Sequence, residues 1–322
     1  MSPSYSRVTS GEIPGGVEDQ ERLRAELEKA QRRIEALREL AATRKLRYER
    51  SQAALEQLRM SLPVRTYREA RRAVGLEKRE LFCVFIGYPR SGHSLLGSLI
   101  DAHPDAAIAQ GVNVLLAIAG GMRRAELVEE LVRRAEEDSD RWRGRRLSGY
   151  SYAVPGQWQG QVRRLRVVGA KAGDKTTIRI RRDRAAFVQL RRMTRGRLRL
   201  LHVTRNPFDM IARIALTKAN RTVEGATRFV ARLARTNAAV IAELPADVLT
   251  VRHESLVANP REELRRVSVF LDIDPDEAWL AACASIVFEH PQRALDLVTW
   301  TPDQRDAVNQ LIAQHAFFEG YS

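Results

Sequence analysis

Apolar or small residues recur at Leu23, Leu27, Ala30, Ile34, Leu37 and Ala41, and again at Tyr48, Leu55, Leu58 and Leu62, in one alternating four-three register. A seam with that repeat predicts a coiled coil over residues 18–62, ended by Pro63 and weakened where Arg44 and Ser51 occupy seam positions. Dimerisation is the expected purpose; a single amphipathic helix packed on its own domain is the alternative. Residues 1–17, rich in Ser, Pro and Gly, read as a flexible tail, and residues 63–80 as a basic connector. At Leu81 the pattern changes. Six apolar residues, Leu81 to Ile86, many of them aromatic or branched, break into Gly87-Tyr88-Pro89-Arg90-Ser91-Gly92, and apolar positions resume with helical spacing at Leu95, Leu96, Leu99 and Ile100. That is strand, loop and helix. Leu198 to Arg205 repeats the plan, with Pro207 where helices favour a first residue. Short strands at Leu165 to Gly169 and Val248 to Val251, a long amphipathic helix over 222–243, and helices beginning near Pro260, Pro275 and Pro302 complete a domain over 81–322. The predicted class is α/β: a P-loop-NTPase-like parallel sheet flanked by helices, preceded by the coiled-coil helix.

The first loop has the frame Gly-x-x-x-x-Gly-His-Ser, with His93 where a nucleotide P-loop carries lysine and Arg90 as the fixed charge inside the loop. Glycines let the backbone N–H groups and the following helix N-terminus converge on an anion, and Ser91 and Ser94 add hydroxyls. In a magnesium NTPase the neighbouring strand commonly ends in a metal-binding aspartate; here it ends in Arg205. A cation there repels a metal and attracts a second anionic group, so the ligand is expected to carry two separated negative charges. Pairing of Arg205 with Asp209 is the plainer alternative.

These residues resemble a known family. Tyr88-Pro89-Arg90-Ser91-Gly92 is similar to the 5′-phosphosulfate loop of sulfotransferases that use 3′-phosphoadenosine 5′-phosphosulfate (PAPS), and Arg205-Asn206-Pro207-Phe208-Asp209 resembles their 3′-phosphate motif. Val251 to Leu264, Phe270-Leu271 and Trp300 to Asp303 resemble the closing part of that domain, so the likeness spans about residues 81–322. It implies PAPS as donor, no metal, and in-line transfer of a sulfuryl group to a hydroxyl of a glycan, lipid or natural product. Pro89, Arg90, Ser91, Gly92, His93, Ser94 and Arg205 would hold the donor. Where the family has a serine eight positions after Arg205, this chain has Arg213, a guanidinium that either faces the phosphate or points away. Arg293 is the counterpart of an arginine- and glycine-rich loop in cytosolic relatives. Asp101-Ala102-His103-Pro104 is similar to protein-tyrosine sulfotransferases, yet Gln110 and Gly111 stand where those enzymes place two glutamates. An amide cannot take the acceptor's proton. His93 and Asp174 are the competing bases, and Lys171 or Lys175 is expected to hold the sulfuryl oxygens. Tyr150, Tyr152 and Trp158 are expected either to wall an acceptor pocket or to anchor a long loop.

Composition narrows little further. The 322 residues carry a net charge of +14, which favours anionic partners without choosing among them. Arginines crowd residues 179–199, where a helix spreads most of them over a wet face with Phe187, Leu190 and Met193 inward. No zinc spacing or RNA motif supports nucleic-acid binding. Two cysteines, no apolar run of membrane-spanning length and no signal-peptide pattern lead to a cytoplasmic expectation. Two other classes remain: a nucleotide kinase or NTPase on a related scaffold, and a sulfotransferase-like scaffold whose site has decayed.

Overall fold

The computed structural model describes residues 80–143, 152–217, 222–287 and 293–321. The tail, the coiled coil and its dimer, all of the connector but Glu80, and Tyr150 lie outside the described residues. Five strands form one parallel sheet: β1 (Leu81–Gly87), β2 (Ala106–Gln110), β3 (Val167–Lys171), β4 (Leu198–Thr204) and β5 (Val248–Arg252), in the order β2-β3-β1-β4-β5. The central strand β1 is buried throughout, which explains its unbroken apolar sequence. Its alternate side chains feed two cores. Phe82, Val84 and Ile86 join α3 (Arg124–Arg143), α4 (Asp174–Arg182), α5 (Arg184–Thr194) and α7 (Val223–Glu243), together with α2 (Val114–Ala119). Leu81, Cys83 and Phe85 join α1 (His93–Asp101), α8 (His253–Ala258), α9 (Pro260–Phe270) and α10 (Glu277–Ser285). A third cluster gathers α6 (Pro207–Thr217), α7 and α11 (Pro302–Ala313) beside Tyr88 and Trp300.

From β1 the chain crosses β3 to reach β2, returns to β3, and then passes β1 to reach β4. The direction of winding reverses around β1. A crevice therefore opens at the carboxyl ends of β1, β3 and β4, the place where open parallel sheets hold ligands. Gly87 of β1 is in register with Val203 of β4, so the first loop and Arg205 leave the same edge from adjacent strands.

Several expectations shift. β2 went unpredicted, because Ala-Ala-Ile-Ala-Gln carries one branched residue and lacks the aromatic signal of β1. Asp174 to Thr177 forms the first turn of α4. The arginine-rich stretch is two helices broken at Asp183, whose carboxylate caps α5 by accepting the Ala186 N–H at 3.0 Å. His253 to Ala258 forms a short helix between β5 and the helix that begins at Pro260. No helix among the described residues is long and apolar enough to cross a membrane.

Candidate functional site

The loop after β1 carries its cation on an unusual backbone. Arg90 is exposed and adopts φ 68°, in the left-handed region that costs a non-glycine residue energy. Ser91 is buried; its Oγ donates to the Tyr88 carbonyl at 2.9 Å and lies 3.2 Å from His93 Nδ1. Gly92 enters α1 at φ 93°, and no side chain caps that helix, so its first N–H groups stay turned toward the loop. A Cβ on Gly92 would lie 2.4 Å from His253 Nδ1. Backbone conformation and close approach both demand glycine here.

His93 opens α1 in a cramped place. Its ring abuts Gly173, where a Cβ would lie 2.8 Å from Cε1. Burial, with Lys171 and Arg90 nearby, pulls the imidazole down to about 3, so it is neutral at pH 7 and a poor proton acceptor. Ser94 accepts a hydrogen bond from Lys171 Nζ at 2.9 Å, which fastens the end of β3 to the first turn of α1. Burial lowers Lys171 to about 8. Asp174 begins α4 three residues later, half-buried on the same side. Gly111 is exposed, and Gln110 bonds through its N–H to Asp138 Oδ2 at 2.8 Å. No carboxylate stands at either position where related enzymes carry glutamate.

At the end of β4, Asn206 Oδ1 accepts the Phe208 N–H at 2.9 Å and Pro207 starts α6, so the Asn-Pro pair fixes the helix entry. Arg205, just ahead of α6, and Arg213, within it, each lie four positions from Asp209. Asp209 Oδ2 receives Arg205 Nε at 2.5 Å and Arg213 Nε at 3.1 Å. Its Oδ1 accepts the Ala294 N–H and, at 3.3 Å, the Leu295 N–H. The pairing of Arg205 with Asp209 is thus real, and it joins the two arginines instead of removing one. Arg213 turns inward to this carboxylate. Arg293 is exposed, its Nε 3.6 Å from Asp296 Oδ2; the backbone of the next two residues, not this side chain, docks on Asp209.

His253, absent from the sequence expectation, links the two cation sites. It is buried against Gly92, and neither ring nitrogen has a hydrogen-bond partner. Burial, with Arg205 and Arg213 adding to it, pulls it down to about 3. A neutral imidazole with unpaired nitrogens between a glycine loop and a pair of arginines suits a ligand that supplies the missing partners. Its one sequence signal was position: it follows β5 at the carboxyl edge of the sheet.

The aromatic loop lies elsewhere. Trp158 N–H donates to the Ala102 carbonyl at 3.1 Å, Gln159 Nε2 to the Ser98 carbonyl at 3.1 Å, and Gly160 N–H to Asp101 Oδ2 at 3.1 Å. These bonds strap it to the far end of α1. The described part of the loop holds that helix through backbone N–H groups and the Gln159 side chain, which also donates to the Tyr152 carbonyl at 2.6 Å, while the Trp158 ring is exposed.

A family model described as the sulfotransferase family matches residues 83–277. Solved structures with similarity include the sulfotransferase domain from the curacin biosynthetic pathway, 12% identical with a TM-score of 0.46, covering 73% of this chain and 96% of that one. The sulfotransferase domain of the Synechococcus PCC 7002 olefin synthase is 18% identical with a TM-score of 0.46, covering 73% and 94%. A sulfotransferase from Alicyclobacillus acidocaldarius is 15% identical with a TM-score of 0.42, covering 74% and 92%. Among curated proteins, no sequence matches the chain. The matched residues contain β1 from Cys83 onward, the other four strands, the glycine loop with Arg90, and Arg205, Asp209 and Arg213; on that match the chain belongs to the sulfotransferase family.

Proposed function

We propose that the protein transfers a sulfuryl group from PAPS to a hydroxyl of a glycan, lipid or natural product, without a metal and in the cytoplasm. One observation carries the reading: two cation sites leave adjacent strands at one sheet edge, and His253, with both ring nitrogens unpaired, stands between them. Such spacing suits a single ligand with an anionic group at each end. Free, buried cysteines at Cys83 and Cys283 accord with a reducing compartment.

PAPS supplies a sulfuryl group on a good phosphate leaving group. The loop from Pro89 to Ser94, with Arg90 and the N–H groups at the start of α1, holds charge at the 5′ end. Arg205 and Arg213 hold the 3′-phosphate, pre-aligned by Asp209. Lys171 steadies the oxygens of the transferred group from the end of β3. Asp174 receives the acceptor's proton; His93, neutral and a very weak base, packs the loop against Gly173 and Ser91 instead.

Calorimetric titration with 3′,5′-adenosine bisphosphate tests the reading. Saturable one-to-one binding, weakened roughly ten- to hundredfold in Arg205→Met and unmatched by ATP with magnesium, is the expected result. Arg90→Ala is expected to abolish transfer with the fold intact. Absence of bisphosphate binding, or preference for ATP with magnesium, overturns the proposal.

A further inference from the structure

Residues 316–321, which follow α11 and have no part in the transfer described above, reach both cation sites. Phe318 is fully buried, and its ring centroid lies 5.4 Å from that of Tyr88, the first residue after β1. Three residues on, the Tyr321 hydroxyl donates to Glu254 Oε2 at 2.6 Å, and the other oxygen of that carboxylate, Oε1, accepts the Asn206 N–H at 2.8 Å. That N–H belongs to the peptide bond leaving Arg205. Asp209 aims the guanidinium of Arg205; Glu254 fixes the backbone from which it hangs.

Arg252 keeps the tyrosine in place. Its guanidinium carbon lies 4.0 Å from the centre of the Tyr321 ring, an attractive position for a cation over an aromatic face, and Nη1 donates to the Glu319 carbonyl at 3.0 Å. Gly320 turns the chain between those two contacts at φ 78°. Glu254 itself is exposed, yet groups 48 and 67 positions away along the chain occupy both its oxygens. Water would satisfy such a carboxylate without fixing its side chain. The first turn of α8 thus serves the two sites with consecutive residues, His253 against Gly92 and Glu254 on Asn206.

We propose that Tyr321 and Glu254 are positioning residues for Arg205, a clasp that fixes the peptide after the arginine and with it the separation of the two anion sites. Neither side chain touches the donor. The inference rests on the sulfotransferase reading, in which Arg205 meets the 3′-phosphate, so loss of the clasp should be felt by nucleotides that carry that phosphate and not by those that lack it.

Tyr321→Phe tests it in the full-length protein, because the substitution removes the hydroxyl and keeps the ring for Arg252. By calorimetry, affinity for 3′,5′-adenosine bisphosphate is expected to fall roughly two- to tenfold, the range of one hydrogen bond, while affinity for 5′-AMP, which gives Arg205 nothing to hold, stays at the parent value. Glu254→Ala should lose at least as much; Glu254→Gln, whose amide can accept from Asn206 and still meet the hydroxyl, should regain most of it. A role in stability alone would weaken both nucleotides alike. Independently of any ligand, the Asn206 amide should exchange with solvent faster in Tyr321→Phe than in the parent, by hydrogen-exchange NMR, while the amides of β4 keep their rates. An unchanged Asn206 rate, or equal losses for the two nucleotides, overturns the clasp. Should neither nucleotide bind the parent protein, a faster Asn206 rate still upholds the clasp while the donor reading falls.

Discussion

The two ends of the crevice hold charge by opposite means. At the β1–α1 loop the one arginine is exposed, and what is buried is neutral: Ser91 on a carbonyl and an imidazole held far from protonation. Backbone amides and a helix start do the work there, so the site depends on conformation. At the β4–α6 junction the arginine is itself buried, and a second one stands behind it. Burial of a guanidinium is tolerable only because Asp209 sits at its centre. One pocket is made of shape and the other of charge, and substitutions at each should fail differently.

The largest loss is expected where shape decides. Gly92→Ala would have to adopt φ 93° and place its Cβ 2.4 Å from His253 Nδ1. Transfer should fall by about a hundredfold or more, the usual result of misplacing a reacting group by an ångström, with a lowered melting temperature. Adding His253→Ala removes the clash but leaves the strained backbone. The double variant should therefore regain thermal stability in scanning fluorimetry without regaining transfer; unimpaired transfer in the single variant would break the contrast.

At the other pocket, Arg205→Ala removes a charged hydrogen-bond donor without straining the chain. Such bonds contribute about 1.5–3 kcal/mol, so affinity for 3′,5′-adenosine bisphosphate should drop roughly ten- to hundredfold by calorimetry. Arg213 remains to pair Asp209, and the fold should survive. A lysine at position 205 should restore only part of the affinity, since it cannot bridge carboxylate and phosphate with one planar group.

This contrast was half legible in the sequence. β1 announced itself because a strand buried on both faces needs an apolar residue at every position, and the glycines, cation and hydroxyls after it have few purposes other than holding an anion. Arg-Asn-Pro-Phe-Asp likewise gave a helix start with a cation before it. Interactions far apart along the chain were not legible. Asp209 reaches Ala294 and Leu295 across 85 and 86 positions, and Asp138 reaches Gln110 across 28. Local patterning carries no trace of such closures. His253 was hidden for the same reason, since only the packing of α8 against the loop separates its ring nitrogens from every protein partner. The aromatic loop kept two readings in the sequence because Trp and Tyr serve a pocket wall and a loop anchor equally well.

A smaller effect concerns pH and reaches beyond the crevice. Burial holds His93, His202 and His253 down to about 3, whereas their unfolded counterparts protonate near 6.5. Below that value the unfolded chain takes up protons that the native one refuses, so their stabilising share is present above pH 6.5 and is lost as pH falls toward the folded value. Asp101 works in the other direction: burial pushes it up to about 8, so its folded form gains a proton first and stability rises as pH falls. Three histidines against one aspartate leave a net loss of about 2 kcal/mol between pH 6.5 and 5.5. Urea midpoints at the two values should differ in that direction. His253→Ala should flatten the dependence, and an unchanged slope would mean that the ring already finds a proton in the folded state.

The smallest effect separates a charge inside the second pocket from one beside it. Arg293 is 65% exposed along its side chain, and its partner Asp296, at 3.6 Å, is nearly as exposed. Ion pairs in that setting contribute about 0–1 kcal/mol. What this segment gives the site is the pair of backbone N–H groups at Ala294 and Leu295, which hold Asp209 in place under both arginines. Arg293→Ala leaves those groups untouched, so bisphosphate affinity should stay within about twofold of the parent. Leu295→Pro, which deletes one of the two N–H donors, should weaken binding more than the loss of the exposed charge does. The reverse order would mean that the Arg293 side chain swings in when the ligand arrives, and that the charge-built pocket is completed by a third arginine.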